Sequence, residues 1–94
     1  MAKASTKGKK RVAFDVMAPV GSDVAVAGSF NGWNPKKKAL ADRDNDGHFT
    51  GAVMLNKGTH EYKFVINGEW CVDPQNPNFV VTDLGTMNSV VAVE

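Results

Sequence analysis

The pair Asn67-Gly68 separates two extended runs, and it constrains the fold more than any other feature of the chain. Both central residues of a two-residue hairpin turn need positive φ, which asparagine and glycine tolerate. The preceding run, His60-Glu61-Tyr62-Lys63-Phe64-Val65-Ile66, alternates as a strand does. The turn then sets a register: Ile66 opposite Glu69, Val65 opposite Trp70, and Phe64 opposite Cys71. Side chains alternate between the faces of a strand, so Tyr62, Phe64 and Ile66 share one side. Glu61, Lys63 and Val65 share the other, and Trp70 joins them. The apolar Tyr-Phe-Ile side is assigned to the core. The largest side chain of the hairpin therefore points outward beside a lysine, an arrangement that asks for a ligand.

The rest of the chain reads as further short strands. Arg11 to Met17 alternates, with Val12, Phe14 and Val16 on one side, and stops near Pro19 and Gly21. Val24 to Ala27 is a second strand, running into the loop Gly28-Ser29-Phe30-Asn31-Gly32-Trp33-Asn34-Pro35. Lys36 to Leu40 reads as a short strand or an extended arm. His48 to Leu55 is a third strand, turned at Asn56-Lys57-Gly58. Asp73 to Asn78 is a loop, because its prolines cannot sit in a central strand. Phe79 to Thr82 is expected to pair briefly, and Ser89 to Val93 is the final strand. No segment carries a capped 3.6-residue period, so no helix is predicted. Seven or so short strands with turns every 8–12 residues indicate an all-β fold, an immunoglobulin-like antiparallel β-sandwich.

Size and charge narrow the function. Ninety-four residues make one domain, with a modest core and no room for a deep cleft between domains. A net charge of +1 offers no whole-domain field toward nucleic acid or a membrane. Residues 1–10 hold a run of basic residues with little apolar content and read as a disordered tail before a domain over 11–94. The single cysteine, Cys71, excludes an internal disulfide and falls on the core side opposite Phe64. No apolar run has transmembrane length and none follows the basic start as a signal peptide would, so a cytoplasmic location is expected.

Catalytic and metal motifs are weak. Asp42-Arg43-Asp44-Asn45-Asp46-Gly47 begins like a calcium loop, but its twelfth position is Val53 where a bidentate glutamate is required. A polar hairpin turn is the expected reading. His48 and His60 stand alone on separate strands, without a serine, cysteine or carboxylate at a triad or zinc spacing. No metal, cofactor or catalytic residue is assigned, and the chain is not expected to be an enzyme.

The tryptophans are more informative. Trp33 lies in a loop of glycine and asparagine, where it either closes the end of the sandwich or faces a ligand. An exposed aromatic face suits a flat partner such as the C–H face of a pyranose ring. A lysine beside it supplies donors for the hydroxyls at the ring edge. A guanidinium, a proline or a base would also stack.

An ordered set of segments now becomes recognisable: Val24-Ala25-Val26-Ala27-Gly28-Ser29-Phe30-Asn31-Gly32-Trp33-Asn34, then Gly58 through Trp70, then Asp73-Pro74, then Leu84-Gly85-Thr86-Met87-Asn88. The set resembles carbohydrate-binding module family 48. That family includes the glycogen-binding domain of AMP-activated protein kinase β subunits and the domain preceding the barrel of isoamylases and branching enzymes. The resemblance covers roughly residues 11–94 and implies an immunoglobulin-like sandwich that binds α-1,4-linked glucan: glycogen, starch or maltooligosaccharides. It implies that Trp33 and Trp70 stack on glucose rings, that Lys63, Thr86 and Asn88 bond hydroxyls, and that Leu84 meets a ring from a loop. A shallow site of this kind is expected to bind at micromolar to millimolar levels, roughly 4–8 kcal/mol. A glycogen-metabolising enzyme or a kinase is the macromolecular partner that the resemblance implies. A different reading stays open: a regulatory or protein-docking module, or an accessory domain of a glycoside hydrolase family 13 enzyme, with no sugar binding of its own.

Overall fold

The computed structural model describes residues 8–94. Residues 1–7, most of the expected tail, lie outside the described residues. Strand β1 (Lys10–Met17) opens the fold, one residue before the domain boundary read from the sequence. It is succeeded by β2 (Val24–Gly28), a single 3-10 turn (Pro35–Lys37), β3 (His48–Leu55), β4 (Gly58–Ile66), β5 (Glu69–Cys71), β6 (Phe79–Val81) and β7 (Met87–Val93). All pairings are antiparallel and the fold is an all-β sandwich.

One sheet holds β1 and β3; the larger holds β2, β4, β7 and β6 in that order, with β5 also paired to β4. The Asn67-Gly68 turn takes positive φ at both residues, 52° and 86°. Its register is the expected one, with Val65 opposite Trp70 and Phe64 opposite Cys71. Between the sheets lie Phe14, Val16, Val24, Val26, Leu40, Phe49, Leu55, Tyr62, Phe64 and Val93. Phe64 is fully buried, and Tyr62 meets Phe14 edge-on with ring centroids 4.8 Å apart. Period-2 alternation therefore delivers Tyr62 and Phe64 to the core and Glu61 and Lys63 to the outer face, as read from the sequence.

Three local features depart from the sequence reading. Residues 35–37 form a 3-10 turn, because the Asn34 side chain accepts from the Lys36 N–H and Pro35 starts the turn. Beyond it the chain is an extended arm that bridges the two sheets, through Ala25–Ala39 and Ala41–Thr50. The last strand begins at Met87 rather than Ser89, since β6 pairs Val81 with Met87 and Val80 with Asn88. Asn88 is thus a strand residue. His48 also has a carboxylate partner: its Nε2 lies 2.8 Å from Asp15 Oδ2, diagonally across β1 and β3 on the solvent side. Both side chains are exposed.

The Asp42–Gly47 segment is a turn closed by the Asp42 side chain on the segment's own N–H groups. The Asp42 carboxylate accepts from the Gly47 N–H at 2.7 Å and the Asp46 N–H at 3.0 Å.

Candidate functional site

Pairing with β2 and β7 fixes what the outer face of β4 presents. Lys63 stands opposite Ala27, and Glu61 stands opposite Val90. The small Ala27 leaves the lysine room, and Lys63 is half-exposed. Trp70 projects from β5 on the same face and remains 46% exposed. The hairpin register and the loop after β5 together hold it there. The Tyr62 hydroxyl donates to Asp73 Oδ2 at 2.7 Å and accepts from Asn76 Nδ2 at 3.0 Å. The Asp73 N–H donates to the buried Ser89 hydroxyl at 2.8 Å. Burial pushes the Tyr62 phenol well above its ordinary range; the Asn76 bond opposes this and Asp73 adds to it. The loop is thereby tied to the core tyrosine, and β5 cannot drift from β4.

Cys71 comes directly after Trp70 and faces inward, its Sγ 3.7 Å from the Phe64 carbonyl oxygen. Burial raises its thiol, with the carboxylates of Glu69 and Asp73 adding to the effect. A raised, half-buried thiol is a poor nucleophile, in keeping with a packing role.

Trp33 is carried by a loop that Asn31 staples to the end of β2. Asn31 Oδ1 accepts from the Gly28 N–H at 3.0 Å and its Nδ2 donates to the Val26 carbonyl at 3.2 Å. The Trp33 N–H donates to the Gly28 carbonyl at 3.0 Å, and Trp33 takes a positive φ of 59°. Phe30, not Trp33, turns toward the core and stacks on Phe14. Gly28 makes this possible: a Cβ there would lie 2.5 Å from the Phe30 ring and 2.5 Å from the Glu61 carbonyl. Trp33 is left half-buried at the Lys63 end of β2.

The β6–β7 loop carries the remaining candidates. The Thr82 N–H donates to the Thr86 carbonyl at 2.7 Å, and the two threonine hydroxyls lie 2.8 Å apart. That clamp projects Leu84, which is 90% exposed. Asn88 lies on the outer face one residue beyond the Tyr62–Ser89 pair. Its Nδ2 donates to Glu61 Oε1 at 2.9 Å. Sequence reasoning did not single out Glu61 as a site residue, although alternation puts it on the face of Lys63.

Lys63, Trp70 and Asn88 therefore share one face, and Trp33 and the Leu84–Thr86 loop come from segments adjoining it in the chain. A hollow of about 380 Å³ lies beside them, lined by Asp23, Ala25, Pro35, Lys36, Ala39, Val65 and Gly68. A larger one, about 450 Å³, sits on the other sheet among Arg11, Lys38, Arg43 and small residues of β1 and β3. The outer-face group is the more informative, because it combines exposed aromatic area with an amide held by Glu61 and a lysine ammonium. It offers stacking and hydrogen bonding, the chemistry of recognition. Among the described residues no cluster of three or more metal-ligating side chains occurs, and no helix is long and apolar enough to cross a membrane.

Residues 17–94 match a protein family described as the glycogen recognition site of AMP-activated protein kinase. Among curated proteins, the chain is similar to the β-1 subunit of 5'-AMP-activated protein kinase from Sus scrofa, 38% identical over 74 residues, covering 79% of this chain and 57% of that protein. The β-1 subunit from Bos taurus is 39% identical over the same length, and the β-2 subunit from Mus musculus is 35% identical. The match takes up 26% of each of the latter two proteins, so this chain spans only part of the length of its relatives.

Proposed function

The chain belongs to the family of glycogen recognition sites of AMP-activated protein kinase, a family of carbohydrate-binding modules, and we propose that it binds α-1,4-linked glucan on the outer face of its larger sheet. In this reading Trp33 and Trp70 stack on glucose rings, and Lys63 donates to hydroxyls at the ring edge. Asn88 and Thr86 bond further hydroxyls, and Leu84 meets a ring from the loop. The observation that supports this best is the exposure of Trp70 on the face that also carries Lys63 and Asn88. A half-exposed indole beside fixed polar groups suits a ligand with apolar faces and a polar rim. The role needs no catalytic residue.

Native electrophoresis through gels containing glycogen tests the proposal. The wild-type chain is expected to be retarded, and Trp33→Ala and Trp70→Ala to run unretarded. Wild-type retardation of both variants would refute the tryptophan platform.

The relatives from Sus scrofa, Bos taurus and Mus musculus are kinase subunits. We propose by analogy a cytoplasmic setting and a partner among kinase or glycogen-metabolising subunits, to which the module lends glucan affinity. Partner recovery from lysate with and without excess maltoheptaose tests whether the glucan face also serves as a docking face.

A further inference from the structure

The hollow of about 380 Å³ lies between the segments that carry the two tryptophans. Pro35, Lys36 and Ala39 form one bank, on the arm that leads away from Trp33. Val65 and Gly68 form the other, in the hairpin that carries Trp70. Its floor is the cross-strand pair Ala25–Val65, each residue under a tenth exposed. Val65 is also the direct partner of Trp70, so the hollow continues the outer face from that indole.

We propose that this hollow is an additional subsite for one more glucosyl unit of the same chain. The inference rests on the glucan-binding reading and extends it to residues outside the tryptophan platform. Its volume lies near the lower end of small-molecule sites, about 300–1,000 Å³, which suits a single sugar ring rather than a longer segment. Its lining is largely carbon from Ala25, Pro35, Ala39 and Val65, matched to the C–H face of a pyranose. Two charged side chains supply the polar rim. Asp23 is fixed through its backbone: its N–H donates to Asn67 Oδ1 at 2.9 Å and its carbonyl accepts from the Asn67 N–H at 2.8 Å. Lys36 is fixed by the bond from its N–H to Asn34 Oδ1 at 2.9 Å. Among the described residues neither side-chain terminus has a hydrogen-bond or ion-pair partner. A carboxylate accepting from vicinal hydroxyls and an ammonium donating to ring-edge oxygens are what a sugar ring needs.

A site of this kind makes affinity depend on chain length. Calorimetric titration of the chain with maltotriose and with maltoheptaose reads it. The double variant Asp23→Ala/Lys36→Ala is expected to weaken maltoheptaose binding about five-fold, the scale of one or two lost hydrogen bonds. Maltotriose binding, which the tryptophans suffice to hold, is expected to stay at the wild-type value. Ala39→Phe, which fills the hollow from an exposed position, is expected to remove the same long-chain advantage. Near-wild-type thermal midpoints establish that the variants are folded. The subsite is refuted if both variants bind both sugars as wild type does, or if the two sugars weaken in parallel. A wild-type chain that binds neither sugar overturns the glucan reading itself, and the subsite with it.

Discussion

Asn88 and Glu61, twenty-seven residues apart in sequence, are joined across the outer face by a 2.9 Å bond from the asparagine amide to the carboxylate. The bond takes up an Nδ2 donor of Asn88 and turns its Oδ1 to a set direction. Glu61 is thus a positioning residue for the proposed glucan site. Glu61→Ala is expected to weaken maltoheptaose binding about three- to ten-fold, the effect of losing one hydrogen bond's orientation. Glu61→Gln keeps an acceptor oxygen and is expected to retain most of the affinity. Isothermal calorimetry on the two variants decides between positioning and mere proximity.

Binding and stability should separate along β4 and β5. Phe64 is fully buried whereas Trp70 is half exposed, although they sit one residue out of register on paired strands. Phe64→Ala is expected to cost about 3–5 kcal/mol, enough to unfold much of a marginal domain. Trp70→Ala is expected to cost clearly less in urea unfolding while abolishing retardation by glycogen. Equal losses of stability would show that Trp70 is a structural residue.

The Tyr62 hydroxyl joins the core to the loop after β5 through Asp73 and Asn76. Tyr62→Phe keeps the ring packing and removes both bonds. We expect a loss of about 1–2 kcal/mol in urea unfolding, because two part-buried partners lose a contact. Hydrogen exchange should rise in residues 73–78 before it rises in β4. An unchanged exchange pattern would mean that the bonds of Asp73 to Ser89 and of Asn76 and Asn78 to Val90 hold the loop without the tyrosine.

The surface pair His48–Asp15 makes a pH prediction. The bond to the Asp15 carboxylate holds the His48 imidazole above its ordinary value of 6.5. A raised folded-state value means that the stabilisation is fully present below pH 6.5 and is lost as the pH rises through the folded-state value. Asp15→Asn should return the His48 titration midpoint, tracked by NMR, toward 6.5. It should also remove the difference in thermal midpoint between mildly acidic and mildly alkaline buffer. Both groups are exposed, so the effect is small and fades with salt.

Legibility in the sequence tracked the range of the interaction. The Asn67-Gly68 turn and the alternation of residues 60–66 are local signals, and they placed Lys63 and Trp70 on one face. The 3-10 turn was also local, marked by Asn34 as a cap before Pro35, but a single turn has no apolar period to announce it. The start of β7 at Met87 depends on pairing with β6, and so on a partner strand that carries little pattern of its own.

The sequence by itself determined the strand faces, the hairpin register, the all-β class and the motif set that marks the family. These rest on backbone stereochemistry and period-2 alternation, which each segment expresses alone. Only the tertiary structure decided which distant groups meet: Glu61 with Asn88, Tyr62 with Asp73 and Asn76, His48 with Asp15. It also decided that the arm after Trp33 lies beside Val65 and leaves a hollow there. Such contacts are set by how strands from far-separated segments come into register, and no local propensity encodes that.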